Sequence, residues 1–225
     1  MIGTVINVGS VVLGSGVGLV AGQAIPDRVH ETVFKGLGLL TLVIGVKMSL
    51  ESTNVLILLG SILSGALIGE GLRLQAILDR IGERLKDRFG GRGRFSEAFV
   101  TSSLVFCVGP MTILGSLHDG LSGNYELLAT KSMLDLFASL AFAATLGAGV
   151  LFSAITVLLF QGGLTLSATF LDGRLTDAMV AEMTACGGLM MLGIGFILLD
   201  VSKPRVANFL PSLVISPFIV WVLAG

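Results

Sequence analysis

Long runs of apolar residues constrain this chain more than any other feature. The stretch from residue 136 to residue 171 holds 36 residues without one charged side chain. As a single α-helix it would be about 54 Å long, whereas the hydrocarbon core of a bilayer is about 30 Å thick. The stretch must therefore turn, and the segment "LGAG" at 146–149 favours a turn because glycine has a flexible backbone.

The composition extends this conclusion to the whole chain. Charged residues make up 13% of the 225 residues, hydrophobic residues 53%, and the mean hydropathy is +0.94, whereas soluble domains carry about 25% charged residues. We therefore predict an all-α integral membrane protein of about eight transmembrane helices, each of roughly 20 residues, and no sizeable soluble domain. The predicted spans are 2–24, 34–51, 54–71, 97–117, 127–146, 149–171, 179–200 and 206–225.

Several function classes have no support in the sequence. The net charge of −1 gives no reason to expect a nucleic-acid partner. The two cysteines lie in apolar runs, without the spacing of a metal site, so no metal or other cofactor is predicted. No HExxH, GxSxG or P-loop spacing occurs, and we therefore do not expect an enzyme.

The segment 72–95, "LRLQAILDRIGERLKDRFGGRGRF", is the most charged part of the chain. Its apolar residues recur at helical spacing, which favours an amphipathic helix in the membrane interface, with a plain solvated helix as the alternative. Seven of the 14 Lys and Arg residues lie between 73 and 94, so the positive-inside rule predicts a cytoplasmic loop and an N-terminus outside. The basic residues predicted to hold anionic lipid are Arg73, Arg80, Arg84 and Arg88.

An internal repeat divides the chain into four segments. Residues 25–48 match residues 175–198 at an offset of 150, and weaker matches join spans one and six, and spans three and eight. We therefore predict a first three-helix repeat (1–71), the basic segment (72–95), a central unit (96–146) and a second three-helix repeat (147–225). If 97–117 crosses the membrane the repeats are inverted, as in many secondary transporters; if it is re-entrant they are parallel. The positive-inside rule does not distinguish the two topologies, because both place the same number of basic residues, 11 of 14, on the cytoplasmic side.

Small residues recur every four positions in two of the spans. Such stripes let helix backbones approach closely in lipid, although they can also line a narrow passage. The predicted packing residues are Ser10, Gly14, Gly18 and Gly22 in the first span, and Ser61, Gly65 and Gly69 in the third.

The segment "CVGPMTILGSLHDG" interrupts the fourth span. Pro110 lacks an N–H group, which predicts an unwound or kinked backbone just before it and a second half-helix just after. The free N–H groups of such a half-helix suit an anionic group, so Gly109, Pro110, Met111 and Thr112 are candidate substrate-binding residues. The alternative is an ordinary proline kink satisfied by Thr101, Ser102 or Ser103.

The few polar residues inside the apolar runs complete the candidate site. Lys131 and Asp135 are four apart on one helical face, and an ionisable residue within a span is a functional candidate by default; a structural ion pair is the alternative. Gln161 is a polar residue in the middle of a span and a further candidate for substrate binding. Further coupling or gating candidates are His118, Asp119 and Glu182, which could instead be ordinary polar residues at span ends.

Four stretches carry a family resemblance: "GPMTILGSLHDGLSGN", "LLATKSMLD", "LGAGVLFSAITVLLFQG" and the N-terminal "MIGTVINVGSVVLGSGVG". Together they resemble the bacterial YqgA/YdfK-like multi-pass membrane proteins, a family of unknown function, over nearly the whole chain. The resemblance implies a bacterial inner-membrane protein and transfers no functional residue.

The sequence therefore predicts a secondary transporter of a small solute or ion, with its site near the broken helix and the Asp135–Lys131 pair. One alternative is an ion channel with a re-entrant segment. Another is a non-transporting scaffold or lipid-binding protein whose glycine stripes make contacts in a homo-oligomer.

Overall fold

The computed structural model describes residues 1–22, 26–91, 93–171 and 175–224, and within these ranges the chain is helical and forms no strand. The first predicted span ends at Gly22, and residues 23 and 24 of that prediction lie outside the described ranges. The helices are α1 (Ile2–Gly22), α2 (Asp27–Ser49), α3 (Val55–Leu72), α4 (Leu74–Phe89), α5 (Phe95–Val108), α6 (Pro110–Ser122), α7 (Glu126–Leu146), α8 (Gly149–Leu166), α9 (Ala168–Leu171), α10 (Asp177–Leu198) and α11 (Ser212–Ala224). A 3₁₀ turn, Val206–Phe209, precedes α11.

The predicted all-α membrane fold is confirmed. Seven helical segments in the described ranges are long and apolar enough to cross a bilayer, and α5 and α6 together provide an eighth, bent by 60°. α8 and α7 are separated by a turn at 147–148, as the length of the apolar run requires. The turn residue Gly147 has φ +91°, a conformation that favours glycine.

The chain forms two compact units, and each takes helices from both ends of the sequence. Unit 1 contains α1, α2 as far as Phe34, α4 from Asp79 onward, and α5 to α9. Unit 2 contains the rest of α2 and α4, together with α3, α10 and α11. This division by contacts differs from the four consecutive segments that the repeat suggests.

In unit 1, α1 and α7 run parallel and in very close contact. A Cβ added at Gly14 would collide with the Leu136 carbonyl of α7, and one at Gly22 would collide with Ala144. Gly18 lies between them on the same seam. Residue numbers rise together along both helices, so the glycine stripe of α1 lets two parallel backbones touch. Ser10, at the start of the stripe, is only half-buried.

α8 runs antiparallel to α1 in the same unit. The hydroxyl oxygens of Thr4 and Thr165 are 3.2 Å apart, and the Asn7 amide donates to the Gln161 side chain at 2.8 Å. Numbers rise along α1 as they fall along α8. The first helix of one predicted repeat therefore runs opposite to the first helix of the other.

α5 and α6 follow α8 from one end to the other. Gly149, at the start of α8, packs against Phe95 at the start of α5. Gly120, near the end of α6, packs against the Thr165 carbonyl near the end of α8. A re-entrant hairpin would return α6 to the start of α8, so these contacts favour one broken span that crosses once.

In unit 2, α2 and α10 also run antiparallel. Gly45 approaches Gly188, and Gly195 approaches the Gly38 carbonyl. The predicted repeat equates Gly38 with Gly188 and Gly45 with Gly195. Gly45 of α2 therefore contacts the repeat equivalent of Gly38, and Gly195 of α10 contacts the repeat equivalent of Gly188, which is Gly38 itself. A twofold axis between two related helices produces this reciprocal pattern.

α3 and α11 are the third pair that joins the two predicted repeats. Gly60 lies nearest Ile219 and Gly65 lies against Ser212, so these helices are antiparallel as well. Gly69 lies against Asn208 of the 3₁₀ turn that precedes α11. Ser61, the first residue of the α3 stripe, is fully buried.

Candidate functional site

Lys131 and Asp135 form an ion pair on one face of α7. Both are buried, with 5% and 8% of their surface exposed. Asp135 is the tenth of the 21 residues of α7, so the pair lies near the middle of a membrane-spanning helix. A charge in this position requires a partner, because removal from water is otherwise very costly.

The break between α5 and α6 occurs at Gly109 and Pro110. Gly109 is extended, with φ −68° and ψ 147°, and Pro110 begins α6. The missing N–H of Pro110 would have bonded the Phe106 carbonyl, and the Thr112 hydroxyl donates to that carbonyl instead, at 3.1 Å. The Phe106 carbonyl thus receives its hydrogen bond from Thr112, which lies beyond the break. The sequence had suggested Thr101, Ser102 or Ser103 as the donor for an ordinary proline kink. The three residues 109–111 are partly exposed, whereas Thr112 is fully buried.

The break and the ion pair lie at the same depth. Gly115 of α6 packs against Leu128 of α7, and these consecutive helices run antiparallel. Thr112 lies three residues before Gly115 on α6, and Lys131 lies three residues after Leu128 on α7. Because the two helices run antiparallel, Thr112 and Lys131 are at the same level. The Cys107 thiol, just before the break, is within electrostatic range of both charges of the pair.

A chain of buried polar side chains leads from α8 and α1 to Asp135. The Gln161 amide donates to the Thr4 hydroxyl at 3.3 Å and accepts from Asn7 at 2.8 Å. The Asn7 side chain in turn interacts with the Asp135 carboxylate. The sequence prediction included Gln161 but missed Asn7, although Asn7 is the one amide within α1 and was a detectable signal.

Asp119 caps the beginning of α1. Its Oδ2 atom accepts from the Gly3 amide at 3.1 Å and pairs with the ammonium of Met1 at 2.9 Å. A carboxylate here stabilises a helix N-terminus electrostatically. The adjacent His118, the other residue predicted for gating in this segment, is exposed.

Glu182 of unit 2 is fully buried and holds the connection between α2 and α3. Its carboxylate accepts from the Ser52 hydroxyl, from the amide and hydroxyl of Thr53, and from the Asn54 amide, at 2.8–3.1 Å. Asn54 is the N-cap of α3. The geometry is that of an anion at a helix N-terminus, which anchors the loop.

α4 carries three of the four arginines predicted to meet anionic lipid, and the fourth, Arg73, directly precedes it. Its apolar residues Ile77 and Ile81 remain 44% and 38% exposed. The exposed apolar groups beside exposed charges fit a helix that lies along a membrane surface. The basic residues Arg73, Arg80, Arg84 and Arg88 are all exposed.

These features define a multi-pass α-helical membrane protein with a bent helix pair, α5 and α6, whose break is level with a buried ion pair. The chain belongs to the family described as "Protein of unknown function (DUF554)", whose profile matches residues 2–221. The resemblance seen in the sequence is thereby confirmed.

Two relatives match almost end to end. The chain is similar to "Uncharacterized membrane protein YdfK" of Bacillus subtilis (strain 168), with 26% identity over 227 residues, 99% of this chain and 97% of that protein. It is also similar to "Uncharacterized protein YqgA" of Escherichia coli (strain K12), with 29% identity over 222 residues, 96% of this chain and 94% of that protein. No solved structure matches the chain.

Proposed function

We propose that this protein is a secondary transporter of a small solute or ion, with its site at the α5–α6 break and the Lys131–Asp135 pair. The observation that carries the proposal is a buried ion pair in the middle of α7, level with a broken helix. Ionisable residues at this depth commonly mark substrate or ion pathways, and broken helices commonly form transporter sites.

The helix directions support a transporter architecture. α1 and α8, α2 and α10, and α3 and α11 are the three helix pairs that the predicted repeat equates, and each pair runs antiparallel. We infer from this an inverted repeat of three helices around a central broken span. Inverted repeats allow two alternative, pseudo-symmetric arrangements around one site, which is the basis of alternating access.

The chemistry of the site favours a solute with an anionic group. The first turn of α6 carries the partial positive charge of a helix N-terminus, and the Lys131 ammonium lies at the same level. Gly109, Pro110 and Met111 would contact the solute through partly exposed backbone, and Gln161 would stabilise the polar chain behind Asp135. Asp135 balances Lys131 when no solute is bound.

The proposed setting is a bacterial inner membrane, with the basic α4 segment in the cytoplasm and the N-terminus outside. Anionic lipid would then bind at four exposed arginines, Arg73 just before α4 and Arg80, Arg84 and Arg88 within it. The exposed side chains of Ile77 and Ile81 support a position at the membrane surface, because apolar side chains are not favoured on a helix face surrounded only by water.

The test begins with a ligand screen, because the solute is not identified by the geometry. Purified protein would be heated with a panel of small anions, including phosphate, sulfate, acetate, lactate and amino acids. A ligand at about 100 times its Kd stabilises the folded state by about 2.7 kcal/mol, which raises the Tm measurably. The most stabilising solute would then be followed into proteoliposomes.

The decisive comparison is between two amide substitutions. Asp135→Asn should reduce coupled uptake to background while reconstitution is unchanged, whereas Glu70→Gln, which alters an exposed carboxylate, should retain it. Unchanged uptake by Asp135→Asn would refute the site. A wild-type protein that neither binds nor moves any member of the panel would favour the scaffold alternative, and single-channel currents would favour a channel.

A further inference from the structure

Four buried side-chain oxygens in unit 1 lack a hydrogen-bond partner within the described ranges. One, Ser15 Oγ, lies farther along α1, and the other three are Asn7 Oδ1, Ser116 Oγ and Asp119 Oδ1. Asn7 and Ser116 are fully buried, and Asp119 is 4% exposed. Buried polar atoms normally find a partner, so three on neighbouring helices indicate a ligand that donates hydrogen bonds.

The three oxygens line one seam between α1 and α6. Asp119 bonds the Gly3 amide, Asn7 lies one turn beyond Gly3, and Ser116 lies one turn before Asp119. Because α6 runs antiparallel to α1, Asn7 and Ser116 are at the same level. Asn7 also interacts with Asp135, so the seam extends from the surface near Met1 to the middle of α7.

Water matches these groups in polarity. A water molecule can donate to the Asn7 and Asp119 oxygens and can accept from the Ser116 hydroxyl, and buried waters typically make about three hydrogen bonds each. A carboxylate at the inner end of a hydrated seam is the arrangement of a proton relay.

We propose that a hydrated passage along the α1–α6 seam connects the membrane face at Met1 to Asp135, and that the coupling ion is the proton. This inference rests on the proposed function. A proton from the outer solution moves through the water chain and forms an O–H bond on the Asp135 carboxylate. Lys131 then has no counter-charge, and an anionic solute that binds it restores neutrality, which couples one proton to one negative charge.

In the part of the chain that the structure describes, the charged group that faces Asp135 is Lys131 of its own helix, and α5 contributes the Cys107 thiol. Asp119 of α6 and the Met1 ammonium of α1 pair with each other at the outer end of the seam. α8 contributes the neutral Gln161.

Thiol accessibility tests the passage without any transport assay. Ser116→Cys should react with a water-soluble methanethiosulfonate reagent applied from the N-terminal face, as measured by peptide mass spectrometry. Ser102→Cys is the matched control, because Ser102 is equally buried but its hydroxyl bonds the Ala98 carbonyl. Equal labelling of the two cysteines would overturn the passage.

Carbodiimide labelling tests the proton. Dicyclohexylcarbodiimide reacts with protonated carboxyl groups, so an adduct at Asp135 should form faster at low external pH and be absent in Asp135→Asn. Asn7→Leu should make the labelling rate insensitive to pH on the N-terminal face. A labelling rate that is independent of pH in the wild-type protein would overturn the proton assignment. Because neither readout needs a solute, a failure here is distinct from a failure of transport.

Discussion

A single methyl group on α3 should measure how closely α3 and α11 pack. A Cβ at Gly65 would lie 2.7 Å from the Ser212 amide nitrogen and 2.8 and 2.9 Å from its Cβ and Cα atoms. Gly60, on the same helix, would place the same methyl 3.8 Å from Ile219, which is an ordinary van der Waals contact. Gly65→Ala and Gly60→Ala thus differ only in the space available.

The expected difference follows from these distances. α3 and α11 must move apart by roughly half an ångström or more to admit the Gly65 methyl, and overpacking of this kind costs about 1–3 kcal/mol. Alanine favours the helix over glycine by about 1 kcal/mol at both positions, so that gain cancels in the comparison. For a chain of this size, Gly65→Ala should melt about 2–12 °C below Gly60→Ala.

The two native cysteines provide the assay. Cys107 and Cys186 are both buried, so a maleimide dye that fluoresces on thiol addition reports unfolding in detergent. The purified wild-type protein and both variants would be heated under identical conditions. A Tm for Gly65→Ala equal to or above that of Gly60→Ala would refute the close α3–α11 contact.

Three further predictions use the same thermal assay or amide exchange. Lys131→Met should destabilise the protein by about 3–5 kcal/mol, because it leaves the Asp135 charge buried without a partner. Adding Asp135→Leu removes that charge and should restore most of the lost stability. A double variant no more stable than Lys131→Met alone would contradict direct pairing. Glu182→Gln should speed hydrogen exchange of the loop between α2 and α3, since four donors lose a charged acceptor, and unchanged exchange would argue against the anchor. Thr112→Val should cost about 1–3 kcal/mol relative to Thr112→Ser, because only serine retains a donor for the Phe106 carbonyl; equal Tm values would contradict that role.

The membrane fold was predictable from the sequence because length and hydropathy decide it. In lipid every backbone polar group needs an internal partner, so an apolar run of about 20 residues has few alternatives to a helix. Pro110 also predicted the break, since its missing N–H is a local property.

The polar contacts were less predictable because they depend on which helices become neighbours. Thr112 satisfies the Phe106 carbonyl only because the chain bends around Gly109, and no spacing rule distinguishes it from Ser102. Asn7 meets Gln161 only because α1 and α8 run antiparallel in one unit. Glu182 was predicted as a coupling or gating residue, yet its four donors lie in a loop about 130 residues away in sequence.

The direction of the helices was open in the sequence because basic residues distribute equally well in two topologies. Contacts within unit 1 bear on it: α5 and α6 follow α8 in one direction, which favours a crossing over a hairpin. The reciprocal glycine pairs of α2 and α10 agree with that direction independently.

Membrane topology tests the central claim, a broken span that crosses once between two oppositely oriented repeats. Reporters that are active on only one side of the membrane, alkaline phosphatase and green fluorescent protein, would be inserted at Gly93, at Gly123 and after the C-terminus. The account predicts Gly93 in the cytoplasm and the other two sites outside. All three on the same side would mean that α5 and α6 form a re-entrant hairpin, and the inverted repeat and the transport site built on it would be wrong.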